Sequence, residues 1–419
     1  MEQSLMKHMN VAYFIASKIA SQKQKNFSAL ITKVATIATA LSLAVMIIAT
    51  SMVSGFQKVI QQKAYNLWGH IQITEYSDNR SYENSPIKLS LQKINEIKAL
   101  TGVTHLEAFA TKPGIIKKQE QIEGVVLKGI DASFTNDFFK QYVANYNGTV
   151  EQIFNLNDSV ISNKIIISNK IADRLQLKVG DNCLVYFIDK SPRVRKLQVA
   201  AIYKTGLSEF DKVYSFVDIR MVQKLNNWKN NEVGGYEIFV DPYSKMDTIC
   251  TTINKDILPL NLGAQTIHQL FATLFDWLNL QNTTEIMILI LMVIVAIINV
   301  ISSLLILILE RTQMIGILKT MGMKASSLRQ IFMLQSFFIL LRGVFWGNLI
   351  GLGICFLQYH FKFIKLNEET YYISEVAVDF NVWMITFINI GFIVVSIISL
   401  VLPAIIINYI KPIKAIRFE

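Results

Sequence analysis

Four long apolar stretches constrain this chain more than any other feature. They are residues 34–57, 286–309, 330–361 and 380–410, and Arg342 is the single charged residue among them. A helix needs about 20 mainly apolar residues to cross a bilayer. With 52% hydrophobic and 17% charged residues, the sequence predicts a multi-pass α-helical membrane protein with four transmembrane helices.

Lysine and arginine near the ends of these stretches predict their orientation. Basic residues outnumber acidic ones before the first stretch, between the second and third, and after the fourth, whereas residues 362–379 are acidic. The basic residues are Lys7, Lys18, Lys23, Lys25, Lys33, Arg311, Lys319, Lys324, Arg329, Lys411, Lys414 and Arg417. Both termini are therefore predicted to be cytoplasmic (N-in/C-in), and the net charge of +10 reflects topology rather than a nucleic-acid surface.

The first stretch is expected to remain in the protein, because its apolar run exceeds the about 7–15 residues of a signal peptide core. Apolar residues at helical spacing extend beyond it and also precede the second stretch, from Leu270 to Leu278, which predicts two stalk helices. The amphipathic segment 1–26 is either a helix on the inner membrane face or an extension of the first span.

The predicted organisation has eleven parts. They are the N-terminal helix 1–26, the first transmembrane helix 27–57, a stalk helix 58–68, an extracytoplasmic α+β domain 69–265, a second stalk helix 266–284, the second transmembrane helix 285–309, a cytoplasmic coupling loop 310–328, the third transmembrane helix 329–361, an extracytoplasmic loop 362–379, the fourth transmembrane helix 380–410 and a cytoplasmic tail 411–419.

The domain at 69–265 shows irregularly mixed strand and helix patterns. Strand-like runs are 71–74, 125–130, 165–167, 184–188, 197–203, 214–217 and 236–240, and helical spacing occurs at 91–100, 170–177 and 246–254. This mixture predicts an α+β domain of two subdomains. Its two cysteines, Cys183 and Cys250, are either buried free thiols or a disulfide.

Motifs that carry catalysis are missing from the sequence. It contains no phosphate-binding G-x-x-x-x-G-K-[ST] loop and no H-E-x-x-H, and its five histidines are scattered. We therefore expect no catalytic residue, no metal site and no cofactor in this chain.

Two features instead predict helix contacts. In the loop 310–322, Ile315, Leu318 and Met321 are apolar residues that we expect to face water, so this segment either docks on a partner or rests on lipid. Gly343, Gly347 and Gly351 are spaced four apart on the third span, which favours close packing by another helix. Arg342 is either functional or, as favoured, an interfacial residue that snorkels.

The loop 310–322 (ERTQMIGILKTMG) and the ending of the chain, Pro403-Ala404 followed by residues 412–419 (PIKAIRFE), resemble permeases related to FtsX and MacB. The chain is most similar to the lipoprotein-releasing permeases of the LolC/LolE type. Segments with that similarity are 14–18 (FIASK), 52–56 (MVSGF), 69–73 (GHIQI), 126–131 (VLKGID), 172–181 (ADRLQLKVGD) and 205–211 (TGLSEFD).

This resemblance implies an inner-membrane ABC transporter permease with a MacB-like periplasmic core domain. It implies two permease subunits, from one chain or two homologous chains, on two copies of an ATPase that binds ATP and Mg. The complex would extract lipoproteins from the outer leaflet and pass them to a periplasmic carrier. The alternatives are a MacB-type efflux permease and an FtsX-like mechanosignalling permease that controls a cell-wall hydrolase. Mechanotransmission through the long first and second helices is expected in the main case.

The resemblance also assigns residues. Contact with the ATPase is expected at Glu310, Arg311, Gly316, Leu318, Lys319, Met321 and Gly322, and carrier contact at Pro192 and Arg193 in the turn 189–196. That turn is shorter here than the hairpin by which one permease type grips the carrier. Lipid-anchored cargo needs an apolar surface that replaces the bilayer, and the outer half of the first span supplies Val45, Ile48, Met52 and Phe56.

Overall fold

The computed structural model describes residues 27–76, 82–134, 136–144, 149–156, 160–187 and 192–409. Its helices are α1 (Phe27–Trp68), α2 (Leu91–Lys98), α3 (Asn136–Tyr142), α4 (Val150–Phe154), α5 (Asn169–Leu175), α6 (Ser208–Asp211), α7 (Ile219–Asn226), α8 (Met246–Thr252), α9 (Ile267–Leu270), α10 (Ala272–Glu310), α11 (Thr312–Thr320), α12 (Ala325–Phe361), α13 (Glu368–Tyr371), α14 (Val382–Ala404) and α15 (Ile406–Tyr409). Its strands are β1 (Ile71–Glu75), β2 (Val103–Lys118), β3 (Gln121–Ile130), β4 (Lys164–Ser168), β5 (Asn182–Phe187), β6 (Arg193–Tyr203), β7 (Tyr214–Asp218), β8 (Gly235–Val240) and β9 (Leu262–Thr266). The predicted N-terminal helix 1–26 and tail 411–419 lie outside the described residues.

The chain divides into two compact units. The membrane unit comprises Met1–Gln57, Leu278–Ile364 and Val376–Glu419, and the sheet unit comprises Lys58–Trp277 and Lys365–Glu375. The long helices α1 and α10 each contribute residues to both units.

Four helices in the described residues are long and apolar enough to cross a membrane. They cover Thr32–Trp68, Ala272–Glu310, Ala325–Phe361 and Val382–Asn408. The predicted number of spans, and the α+β region between the first and second, are confirmed. The orientation of the termini stays a prediction.

Inside the membrane unit, apolar side chains from all four spans meet. Leu43 and Ile47 of α1 pack with Ala296 of α10, Leu340 of α12 and Phe392 of α14. The amides of Asn348 and Asn389 form a reciprocal pair between α12 and α14, with N···O distances of 2.7 and 3.0 Å. A paired amide satisfies its polar atoms where no water is present, so this pair fixes the register of the two helices.

The nine strands of the sheet unit form one continuous sheet in the order β3-β7-β4-β6-β5-β2-β8-β1-β9. An additional pairing of β2 with β3 closes six of the strands into a ring. The 16-residue strand β2 takes part in both arrangements, because its first half pairs with β8 and its second half with β3 and β5. The expected two subdomains therefore share a strand and form a single unit.

Every predicted strand run overlaps an observed strand, whereas β2 and β9 were missed. The second stalk also differs from the expected continuous helix, since Phe271, with φ −115° and ψ 46°, separates α9 from α10. Its ring packs edge-on against Phe210 at 5.0 Å and lies 5.8 Å from Trp68. The Phe271 side chain is half-buried, and these two ring contacts accompany the break. Cys183, Cys250 and Cys355 are buried free thiols.

Candidate functional site

The coupling loop folds as the short helix α11, which lies against the ends of three spans. Ile315 is completely buried in a cluster with Leu328 and Phe332 of α12 and Leu400 of α14. Gly316 is also buried, and Leu318 packs at the edge of the same cluster. The expectation that Ile315 faces water is therefore wrong, because the chain's own transmembrane helices cover this side of α11.

A different apolar pair remains exposed on α11. Ile317 is 52% exposed and Met321 is 78% exposed, and residues four apart lie on one face of a helix. Exposed Gln313 continues this face by one turn. The surface available to a partner is thus Gln313, Ile317 and Met321, hereafter the α11 face.

Two hydrogen-bond patterns fix the position of α11. Lys319 Nζ donates to the carbonyl of Ile407 at 2.7 Å, which joins α11 to the helix that follows the last span. At the same C-terminal end of α11, the Gly322 N–H donates to the Lys319 carbonyl and the Met323 N–H donates to the Leu318 carbonyl, the pairing of a Schellman motif. Gly322 adopts φ +91°, so the final glycine of the loop signature is required by backbone conformation.

The two sides of α1 differ in the outer half of its membrane segment. Val45, Ile48, Met52 and Phe56 are all half-buried, whereas Leu43, Ile47 and Ser51 are buried against the other spans. The four predicted cargo residues therefore share the more exposed side of the helix, hereafter the α1 face.

The opposite side of α1 is held by polar contacts that sequence reasoning missed. Ser54 Oγ donates to Asp379 at 3.2 Å, and Asp379 N–H donates to the carbonyl of Ser51. Gln57 donates to the Asn282 side chain at 2.8 Å. A Cβ on Gly55 would lie 2.7 Å from the carbonyl oxygen of Ala377, so a glycine is required here. The recurrence of Ser51, Ser54 and Gln57 along one side of an apolar stretch is a signal that could have identified them.

The three glycines of α12 lie directly against α1. A Cβ on Gly343 would approach Thr39 side-chain atoms to 2.7 Å, and one on Gly347 would lie 2.9 Å from the carbonyl oxygen of Ala40. A Cβ on Gly351 would lie 3.2 Å from atoms of Ala44 and Ile47. α12 thereby supports the side of α1 opposite the α1 face. Arg342 lies on the exposed side of α12.

The end of α1 is anchored in the sheet unit by a buried lysine. Lys128 Nζ donates to the carbonyl of Leu67 at 2.6 Å and to Glu237 at 2.8 Å, and it lies 4.4 Å from the centre of the Trp68 ring. Neither charged side chain has exposed area. A cation is favourable at the C-terminal carbonyls of a helix. Lys128 is the one charged residue in the apolar run 125–130, and this feature of the sequence indicates the anchor.

Burial raises the pKa of Glu237 above its usual value, while Lys128 opposes the shift and neighbouring Glu107 adds to it. Glu107 stands directly opposite Glu237 in the β2–β8 register, and Gln72 donates to Glu237 at 3.1 Å. The anchor therefore consists of one lysine shared between a helix end and a carboxyl group in the centre of the sheet.

The predicted carrier-contact residues lie at the start of β6, where Pro192 precedes the strand and Arg193 is its first residue. Pro192 is exposed, whereas Arg193 is half-buried and donates to the carbonyl of Leu225 at 2.8 Å. Residues 189–191 of the turn lie outside the described residues. Across the described residues, no three His, Cys, Asp or Glu side chains are grouped to hold a metal ion.

Family models match both halves of this architecture. Residues 32–249 match the MacB-like periplasmic core domain, and residues 286–412 match the FtsX-like permease C-terminal domain. The chain belongs to the MacB/FtsX-like permease superfamily. Within that superfamily it is of the LolC/LolE type.

The assignment to this type comes from relatives aligned over most of the chain. The lipoprotein-releasing system transmembrane protein LolC of Neisseria meningitidis serogroup B is 23% identical, over 96% of this chain and 97% of that protein. LolE of Haemophilus influenzae is 22% identical, over 82% of each chain. This LolC/LolE-type permease is an inner-membrane protein, and its sheet unit is periplasmic.

Two solved structures show more distant similarity. The extracellular domain of the noncanonic ABC-type transporter YknZ from Gram-positive bacteria aligns with 47% of this chain and 99% of its own, at 15% identity and a TM-score of 0.33. The periplasmic region of MacB from Actinobacillus actinomycetemcomitans aligns with 52% of this chain and 97% of its own, at 9% identity and a TM-score of 0.34.

Proposed function

We propose that this permease is the membrane subunit of an ABC transporter that extracts lipoproteins from the outer leaflet of the inner membrane. A separate ATPase, present in two copies with bound ATP and Mg, supplies the energy, and a periplasmic carrier receives the lipoprotein. A second permease subunit completes the complex, and this chain has no catalytic activity of its own. The observation that carries the proposal is similarity over nearly the whole chain to proteins named for lipoprotein release.

The α1 face supplies the surface that such cargo requires. Each methylene of an acyl chain gains about 0.8 kcal/mol from the bilayer, so removing a lipid anchor costs tens of kcal/mol unless protein replaces the lipid. Ile48, Met52 and Phe56 provide apolar area at the outer end of the span. Contacts of Ser51, Ser54 and Gln57 on the other side of α1 hold the helix while this face stays available.

The α11 face is the proposed contact with the ATPase. Its exposed Ile317 and Met321 would enter a groove on that subunit, as apolar helix faces do. Buried Ile315, and Lys319 bound to the Ile407 carbonyl, would pass a displacement of α11 to the spans. Glu310, Arg311 and Leu318 would support the contact from its edge.

The test is ATP-driven release from proteoliposomes that contain the permease–ATPase complex and a triacylated lipoprotein, with the carrier in solution. Met52→Glu should abolish lipoprotein transfer and leave permease-stimulated ATP turnover unchanged, because it places a charge where acyl chains lie. Met321→Asp should abolish both. Met52→Leu and Met321→Leu are the matched controls, which should behave as the wild type. Normal transfer by Met52→Glu, or ATP turnover by the wild type without any transfer, would contradict the proposal.

A further inference from the structure

Residues 205–211 (TGLSEFD) form a turn centred on the buried side chain of Asp211. This carboxylate accepts hydrogen bonds from Thr205 Oγ1 at 2.6 Å and from Gly206 N–H at 3.0 Å. Gly206 adopts φ +80°, a conformation that favours glycine. These hydrogen bonds fix the position of buried Gly206 within this turn, hereafter the Asp211 turn.

The Asp211 turn is covered by residues 365–375, hereafter the strap, which connect α12 to α14. The strap belongs to the sheet unit, whereas the residues on both sides of it, up to Ile364 and from Val376, belong to the membrane unit. A Cβ on Gly206 would lie 2.6 Å from the Glu368 carboxylate and 3.1 Å from the Tyr372 carbonyl oxygen. The glycine therefore serves a second purpose, since only its bare backbone leaves room for the strap.

Three lysines from separate elements converge on the strap. Lys204, directly after β6, pairs with Glu368 at 2.6 Å. Lys63 of α1 donates to the carbonyl of Tyr372 at 2.8 Å, and Lys170 of α5 pairs with Glu369. Lys170 holds the pKa of the Glu369 carboxyl below its usual value.

An aromatic contact also holds the strap against the sheet unit. The Tyr372 ring packs edge-on against Trp277 at a centroid distance of 5.6 Å. Tyr372 itself adopts φ +62°, which is uncommon for a residue other than glycine. Single exposed ion pairs contribute little. Here, however, two ion pairs, the Lys63 hydrogen bond, a ring contact and the close fit at Gly206 act together on one eleven-residue segment.

We propose that the strap stays seated on the Asp211 turn throughout the ATP cycle and forms a third connection, besides α1 and α10, through which displacement of α12 and α14 reaches the periplasmic sheet unit. The transport role rests on the proposed function, whereas the seating of the strap does not. If opposite charges hold the strap in place, reversing one charge should weaken its contact with the Asp211 turn. Exchanging both charges should restore that contact.

The first experiment measures seating in the full permease–ATPase complex. Lys170→Cys with Glu369→Cys, in a chain whose three native cysteines are replaced by alanine, reports seating as the rate of cross-linking by a short bifunctional thiol reagent. Lys204→Glu or Glu368→Lys should slow cross-linking about five-fold, as the loss of about one exposed ion pair predicts. The double exchange should restore the rate to within about two-fold. Lys224→Glu, at an exposed lysine of α7, is the control and should change nothing.

The second experiment separates a permanent connection from a moving lid. Cross-linking should proceed equally fast in the nucleotide-free complex and in the vanadate-trapped one. The cross-linked complex should release lipoprotein at the wild-type rate, while each single charge reversal should lower release about five-fold.

Three results would overturn the proposal. They are a cross-linking rate insensitive to charge reversal, a release rate insensitive to it, and a cross-linked strap that blocks release, which would show that the strap must open. A wild-type complex that hydrolyses ATP without releasing lipoprotein would refute the proposed function. The cross-linking rates would then still decide whether the strap is seated.

Discussion

At the scale of single residues, the sheet unit contains charges that are unusually deeply buried. Lys128 and Glu237 have no exposed area, and burial of an ion pair stabilises a protein only when every polar atom finds a partner. The Leu67 carbonyl, Gln72 and the Trp68 ring supply those partners. We interpret the pair as the attachment of the C-terminal end of α1 to the sheet.

Removal of Lys128 alone should therefore be costly. Lys128→Met leaves Glu237 buried without its cation, which costs about 3–5 kcal/mol of stability. Lys128→Met combined with Glu237→Gln removes both charges and should recover most of that loss. Thermal unfolding of the full-length protein in detergent measures both. A double variant no more stable than the single one would show that the pair is not the source of the effect.

His70 provides a pH-dependent contribution. Burial lowers the pKa of His70 to about 4, and its Nδ1 accepts a hydrogen bond from Val240 N–H at 3.1 Å. The folded protein thus disfavours the protonated ring. The contribution of His70 to the free energy of unfolding is fully present above the unfolded-state pKa of about 6.5. It is lost as pH falls towards 4, and the loss is on the order of 3 kcal/mol.

His70→Asn keeps an acceptor but does not titrate. Its melting temperature should fall less than that of the wild type between about pH 7 and pH 4. Equal acid sensitivity of the two proteins would mean that other groups govern this pH range.

At the scale of elements, patterns of apolar residues predicted most of the architecture. Strand β4, with three consecutive isoleucines that are completely buried, was evident from β-branched residues alone. β2 was not, because Pro113 and Gly114 interrupt it and its buried positions include Glu107 and Lys112. Such inward-facing polar residues are satisfied by partners distant in sequence, which no local pattern reveals.

The candidate site shows the same limit. Helical spacing predicted that α11 has an exposed apolar face, but it wrongly placed Ile315 on that face. The face could be identified only after α12 and α14 were placed, since they cover Ile315 and leave Ile317 and Met321 exposed.

The contact of α12 with α1 can be tested with two glycines of one helix. Gly347→Ala places a Cβ 2.9 Å from the Ala40 carbonyl oxygen, whereas a Cβ on Gly353 meets nothing within 4 Å. Gly347→Ala should destabilise the protein by about 1–3 kcal/mol. Gly353→Ala should be neutral or stabilising, because alanine favours helix by up to about 1 kcal/mol. Equal melting temperatures of the two variants would contradict close packing at Gly347.

At the scale of the whole molecule, continuous or anchored elements connect the α11 face to the periplasmic sheet unit. α11 is joined to the last span by Lys319, α12 packs on α1 through its glycines, and α1 ends on Lys128. No step in this sequence requires cargo to pass through the membrane. The α1 face, near the outer end of the first span, is where the account places the acyl chains.

Photo-crosslinking from position 52 can show whether acyl chains lie on the α1 face. A photoreactive amino acid at Met52, on the α1 face, is compared with one at Ile294, which is 50% exposed on α10 and serves as a lipid-facing control. In cells that express the permease–ATPase complex, position 52 should cross-link to triacylated lipoprotein, and addition of vanadate should change the yield. Position 294 should cross-link to phospholipid alone. Equal cross-linking of both positions to phospholipid, with no lipoprotein adduct at position 52, would contradict the account.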